Sequence, residues 1–336
     1  MKKYLLFMFL LFFIFSANAF SAVRTWDGGG ADANWGTAAN WVGDVAPVAG
    51  DSLVFPAAAA RFTANNNLST FTFSSVTFEG GNYTIGGGTL SLTNGLTALR
   101  GTQTINAQIL AGNSQTFTAQ QAPSTLVTVF ISSLFVAGGL GNQIVLTLDG
   151  AGDFRINSIN GTGDLTKNGS GLTVLASAGN YTGAITFNNG AFIQNANIPN
   201  SRVTINGGEI LSSYGINEFL GTGTVGTTNV AAGVISTGSL TVPTGGILNI
   251  NNNLSFTQNG AYKCKLNGAM NGHDQLNVIG TVSLNNARLV AVPFNFVPEA
   301  VGDSFTIIRN YGTDPINGTF LNAPEGSILR GEFNSF

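Results

Sequence analysis

The sequence predicts an all-β chain wound as a right-handed parallel β-helix, a solenoid with a capped N-terminal end. Three observations point there: a composition that cannot coat helices, a near-continuous two-residue alternation, and a recurring strand–turn–strand unit. Of 336 residues only 9% are charged, 45 are Gly, and 43% are hydrophobic, including 25 Phe. A typical globular domain is about 25% charged, so the solvent-facing positions here must be Asn, Ser, Thr and Gly, which suit strands and turns better than helices. The apolar content argues against disorder. The net charge of −3, with no Lys/Arg run after residue 3, excludes nucleic acid as a partner.

The chain opens with Lys2 and Lys3, an apolar run over residues 4–15, and Ser16-Ala17-Asn18-Ala19. That is the pattern of a secretory signal cleaved after Ala19, and the run is shorter than the roughly 20 residues a membrane-spanning helix needs. Cleavage removes two lysines and takes the net charge to −5. No later stretch is long and apolar enough to cross a bilayer as a helix, so the mature chain is expected outside the inner membrane without a helical anchor. Cys264 is the single cysteine, so no internal disulfide can form. In 261–266 alternation predicts Tyr262, Cys264 and Leu266 on one face and Lys263 and Lys265 on the other.

Next comes a Trp-rich segment, 20–56, in which Trp26, Trp35 and Trp41 are all the tryptophans of the protein. Such a cluster covers the exposed first layer of an apolar core, or alternatively offers rings to carbohydrate. From residue 57 to 270 alternation dominates, as in Thr70-Phe71-Thr72-Phe73 and Ile144-Val145-Leu146-Thr147-Leu148. Five segments, starting at Val76, Ile185, Val203, Leu240 and Val282, share an alternating triplet, a Gly/Asn/Pro turn and a second strand. Their spacings approximate multiples of 18 to 21 residues. Stacked about 4.8 Å apart, some fifteen such rungs would make a rod of roughly 70 Å, with ladders of Asn and small residues at the corners. An antiparallel sandwich, as one or two domains, is the competing fold. The region 271–336 continues the same texture.

Residues 159–195, INGTGDLTKNGSGLTVLASAGNYTGAITFNNGAFIQN, resemble the autotransporter-associated β-strand repeat, or passenger-associated transport repeat. The matching features are Gly161 and Gly163 before Leu165, Lys167 followed by Gly169 and Gly171, Asn180-Tyr181-Thr182-Gly183, and Gly190. The segment from Thr25 to Pro56 and the run from His273 to Ser327 resemble regions that accompany these repeats. The resemblance implies a bacterial secreted or surface protein that uses the export machinery. It also implies that family members continue beyond this point into a barrel or sorting signal, so the sequence to Phe336 is either truncated or anchored in another way.

Chemistry is sparse. His273 is the only histidine, no Cys/His cluster suggests a metal, and the glycine-rich stretches lack the lysine and following helix of a phosphate loop. No cofactor is expected. The one charged cluster is Asp149, Asp153, Arg155, Asp164 and Lys167, with Asp153 and Arg155 on one face of a strand. A β-helix polysaccharide lyase, using acidic residues and a basic proton acceptor, is therefore the enzyme alternative. The expectation favoured over it is a non-catalytic structural solenoid, a stalk, passenger segment or adhesin, whose partners could include host or matrix glycans.

Overall fold

The computed structural model describes residues 21–328 except 122–125, 139–142, 208, 212–223, 238–244, 267–271 and 294–303. The expected signal segment, 1–19, lies outside the described residues. Strands form nearly everything; among the described residues the helical content is one 3-10 turn, Ala38–Asn40.

The strands wind through three faces, and every named pairing between them is parallel. On the first face Ser52–Phe55 pairs with the end of Thr72–Phe78, and the ladder continues to Val282–Ser283. The second face runs from Thr63–Asn66 to Arg288–Pro293. The third is built first from the far ends of long strands such as Thr102–Ala111 and Asp153–Gly161, which bend at a register shift. It then continues as a separate five-stranded sheet from Asn197–Ile198 to Ile308–Asn310. Among the described residues the first face stacks twelve strands, counting Val23–Thr25 beside Ser52–Phe55, and the other two eleven each, so the rod is about 50 Å long. Fifteen rungs overstated it, because rungs are not uniform. Phe78 pairs with Ala98, 20 residues on, and Lys167 with Phe187, again 20, but Thr118 pairs with Asp149, 31 on, and Leu254 with Val282, 28 on. Pairing fixes only the strands, and connections can lengthen without disturbing the ladder.

Four of the five repeated segments, those from Val76, Ile185, Val203 and Val282, do start on the first face. The fifth is out of phase. Leu240 lies outside the described residues, and the strand that follows, Ile247–Ile250, belongs to the third face. The ladder also runs unbroken across both boundaries drawn from the sequence, at 56/57 and 270/271.

Alternation sorts the side chains. On the first face Leu53 and Phe55, Val76 and Phe78, Leu146 and Leu148, and Ile185 and Phe187 all point inward and are buried. The residues between them form an outward rank that pairs Thr147 with Thr166, Thr166 with Thr186, and Thr186 with Thr204, then reaches Asn229, Ser255 and Ser283. Beside it Asn188 donates to Asn168 at 2.7 Å and Asn206 to Asn188 at 2.8 Å, the corner ladder expected of stacked amides.

The N-terminal end is closed by aromatics. Trp26, Trp35 and Trp41 are fully buried, with Trp26 and Trp41 edge-on at 5.3 Å and Trp35 edge-on to Phe73 at 5.6 Å. Phe55 carries this cluster into the rod by stacking on Phe78 at 5.2 Å. The indole N–H of Trp26 reaches the Arg61 carbonyl, and that of Trp41 the Trp35 carbonyl, each at 2.8 Å. Asp51 ties down the leading strand, accepting from Ala22 N and Val48 N and pairing with Arg24 at 3.0 Å. Burial opposes its ionisation, but these donors outweigh burial and hold its carboxyl below the usual range.

One expected orientation fails. Tyr262 and Cys264 are buried as alternation predicts, but so is Lys265. Its ammonium pairs at 3.4 Å with Asp274, which is fully buried, and donates to the Thr237 carbonyl. The next segment turns back against this strand through an antiparallel bridge between Leu266 and His273, and so carries Asp274 over Lys265.

Inward and outward positions on one strand should respond differently to substitution. Phe187→Ala removes a buried ring and should cost about 3–5 kcal/mol, whereas Thr186→Val should stay within about 0.5 kcal/mol. Urea denaturation of the two variants checks this, and similar losses would contradict the register.

Candidate functional site

The five charged residues do not converge on one site. Asp149 ends a first-face strand and caps its own turn, accepting from Gly150 N at 2.8 Å. Asp164 accepts from Ala184 N at 2.7 Å, one rung further on. Asp153 and Arg155 do share the outer side of the second face, 3.9 Å apart, with Asp153 also accepting from Leu172 N. Lys167 points the other way. It occupies an inward position between Leu148 and Phe187, and its ammonium donates to the carbonyl of Gly169 and, at 3.3 Å, to that of Asn189. It clamps the turn of its own rung to the turn of the next. As a proton acceptor for a polysaccharide it is misplaced, because its nitrogen faces backbone carbonyls inside the corner.

Burial lowers the Lys167 pKa to about 8, a shift that Asp149 and Asp153 partly offset. The Tyr181 hydroxyl goes the opposite way, pushed up by burial and by the charge of Asp164. Tyr181 is buried at the corner leading back to the first face, where its hydroxyl meets the Ala184 carbonyl at 3.4 Å. Leu165 is buried in the core, and Asn180 N is held by the Asn160 side chain at 3.1 Å.

The glycines of the motif stack where two rungs approach too closely for a side chain. A Cβ on Gly163 would overlap the Ala137 carbonyl, and one on Gly183 would overlap that of Gly163. Gly169 lies over Gly150, Gly171 over Gly152, and Gly190 over Gly171 in the same way. At Gly161 the backbone is also left-handed, with φ +106°.

The Trp cluster cannot serve carbohydrate, since all three rings are fully buried and no ring face is open. His273 bonds the Thr306 carbonyl at 3.0 Å, edge-on to Phe305. Among the described residues no group of three or more His, Cys, Asp or Glu side chains is placed to hold a metal ion.

What the sequence did not single out is a groove of about 310 Å³ on the second face, lined by Thr104, Phe130, Ile131, Ser132, Arg155 and Asn157. Thr104, Phe130 and Arg155 are successive cross-rung partners. The Arg155 guanidinium lies 5.9 Å from the centre of the Phe130 ring. The available signal was Phe130 itself, an outward aromatic in a strand that exposes one other large apolar residue, Phe135.

The buried lysine has a pH signature. Lys167 titrates near 8 when folded and near 10.5 when unfolded, so its contribution is fully present above 10.5 and lost as pH falls through 8. Cys264, raised from 9.0 to about 12 chiefly by burial, acts in the opposite sense and is lost as pH rises from 9 towards 12. The difference in Tm between the native protein and Lys167→Met isolates the lysine, and should move in favour of the native protein between about pH 8 and 10. A difference that does not change with pH would contradict a buried ammonium. Gly161→Ala should lower stability by more than the roughly 1–2 kcal/mol of left-handed strain, because a backbone overlap is added.

In comparisons with protein-family models, with curated proteins and with solved structures, the chain matches none.

Proposed function

We propose that this chain is a secreted or surface-displayed bacterial structural solenoid, a stalk or passenger segment with adhesive capacity rather than a catalyst. The observation that carries the reading is the unbroken parallel ladder of eleven rungs over one apolar core, closed at its N-terminal end by aromatic packing. Such a rod keeps a fixed length without disulfides, which suits a spacer. Of the charged residues that a lyase reading required, Asp149 and Asp164 are engaged in turns and Lys167 is buried beneath one, while Asp153 and Arg155 stand apart from them on the second face. The resemblance of residues 159–195 to the autotransporter-associated repeat supports export, as does the N-terminal segment with its expected cleavage after Ala19. A ladder that grows rung by rung outside the cell would also resist backsliding during export.

Cell fractionation with N-terminal sequencing tests the reading. The mature protein should begin at Phe20 and be recovered outside the inner membrane. An uncleaved chain confined to the cytoplasm would overturn it.

A further inference from the structure

The outward rank of the first face carries only small, uncharged residues from Thr147 to Ser283. The second face differs where three consecutive rungs align Thr104, Phe130 and Arg155 along the rod. Phe130 keeps 40% of its surface exposed, although it sits in a strand whose inward residues, Val129 and Ile131, already supply the core. Its ring is thus an apolar surface that folding leaves partly uncovered. Arg155 is held over it at 5.9 Å, with Asp153 behind at 3.9 Å, so the fork of N–H donors is oriented before any ligand arrives. Ser132, whose hydroxyl donates to Asn106 at 3.2 Å, keeps lone pairs to accept with. Thr104 and the exposed Asn157 complete a rim of hydroxyl and amide groups.

An exposed aromatic ring, a fixed guanidinium and short hydroxyl and amide side chains along a groove are the groups that recognise sugars: the ring takes the C–H face and the rim takes the hydroxyls. We propose that this groove binds an uncharged polysaccharide laid along the rod axis. A polyanion fits less well, because Asp153 already partners Arg155 and the chain as a whole carries a net charge of −3. A groove spanning three rungs, about 10 Å between the outer two, matches part of a chain and not a lone ion. The inference deepens the adhesive part of the proposed function and rests on that reading.

Affinity electrophoresis of the purified full chain through gels containing dextran, glucomannan, xyloglucan or alginate tests it, independently of where the cell places the protein. At least one neutral polymer should retard the native protein, with little loss at high salt. Phe130→Ala and Arg155→Gln should each weaken that retardation roughly tenfold, while Thr186→Val on the first face leaves it unchanged. The thermal transitions of the variants should match the native protein, since both groove side chains are solvent-facing. The proposal is overturned if no neutral polymer retards the chain, if both groove variants bind as the native protein does, or if alginate is the preferred ligand. Export of a chain that fails this test would leave the structural reading standing and remove only the groove.

Discussion

Each rung of this protein lies about 4.8 Å above the one before it, and in a parallel ladder that spacing sets every residue beside the equivalent residue of its neighbours. Whatever occupies one position is therefore repeated against itself. Two like charges 4.8 Å apart repel by about 1 kcal/mol in water and about 3 at the effective dielectric of a protein surface, and the cost recurs with each rung. Thr, Ser and Asn stack without that penalty, and the amides of Asn168, Asn188 and Asn206 bond to one another. The scarcity of charge is a consequence of the geometry.

The same closeness governs the corners and the interior. Where rungs nearly touch, only Gly fits, as at Gly163 beneath Gly183. Two long polar side chains that enter the core, those of Gln103 and Lys167, are bonded to backbone. The Gln103 side chain accepts from Tyr83 N and donates to the Gly81 and Arg100 carbonyls, and Lys167 spans two turns. Lys265 and Asp274 are the costliest case, a buried pair in which burial drives each group towards neutrality. An apolar pair of the same volume would serve stability as well, so the ion pair reads as a device that fixes how the returning segment docks.

Much of the fold was legible because a period of two is a local property. The triplets at Ile185, Val203 and Val282 announce their inward residues without knowledge of the partner strand. The phase of the rungs was not legible, since connection length varies while the ladder stays in register, so the segment from Leu240 was grouped with four that start on the first face although its second strand, Ile247–Ile250, lies on the third. Lys265 was misplaced because its partner, Asp274, comes from a segment that folds back on it, a contact no alternation encodes. At the candidate sites, sequence proximity brought together five charged residues that the winding separates. The groove went unseen for the converse reason: Thr104, Phe130 and Arg155 are about 25 residues apart and meet only through the register.

The stacked register is the claim on which all of this depends, and distances between paired spin labels measure it directly. Labels on one outward column of the first face, at Ser75 with Thr147, Ser75 with Thr186 and Ser75 with Thr204, are three, five and six rungs apart. Backbone separations of about 14, 24 and 29 Å, rising in proportion to rung number at about 4.8 Å each, are expected. Distances that plateau or fall along the series, as in a chain folded back into a sandwich, would contradict the account.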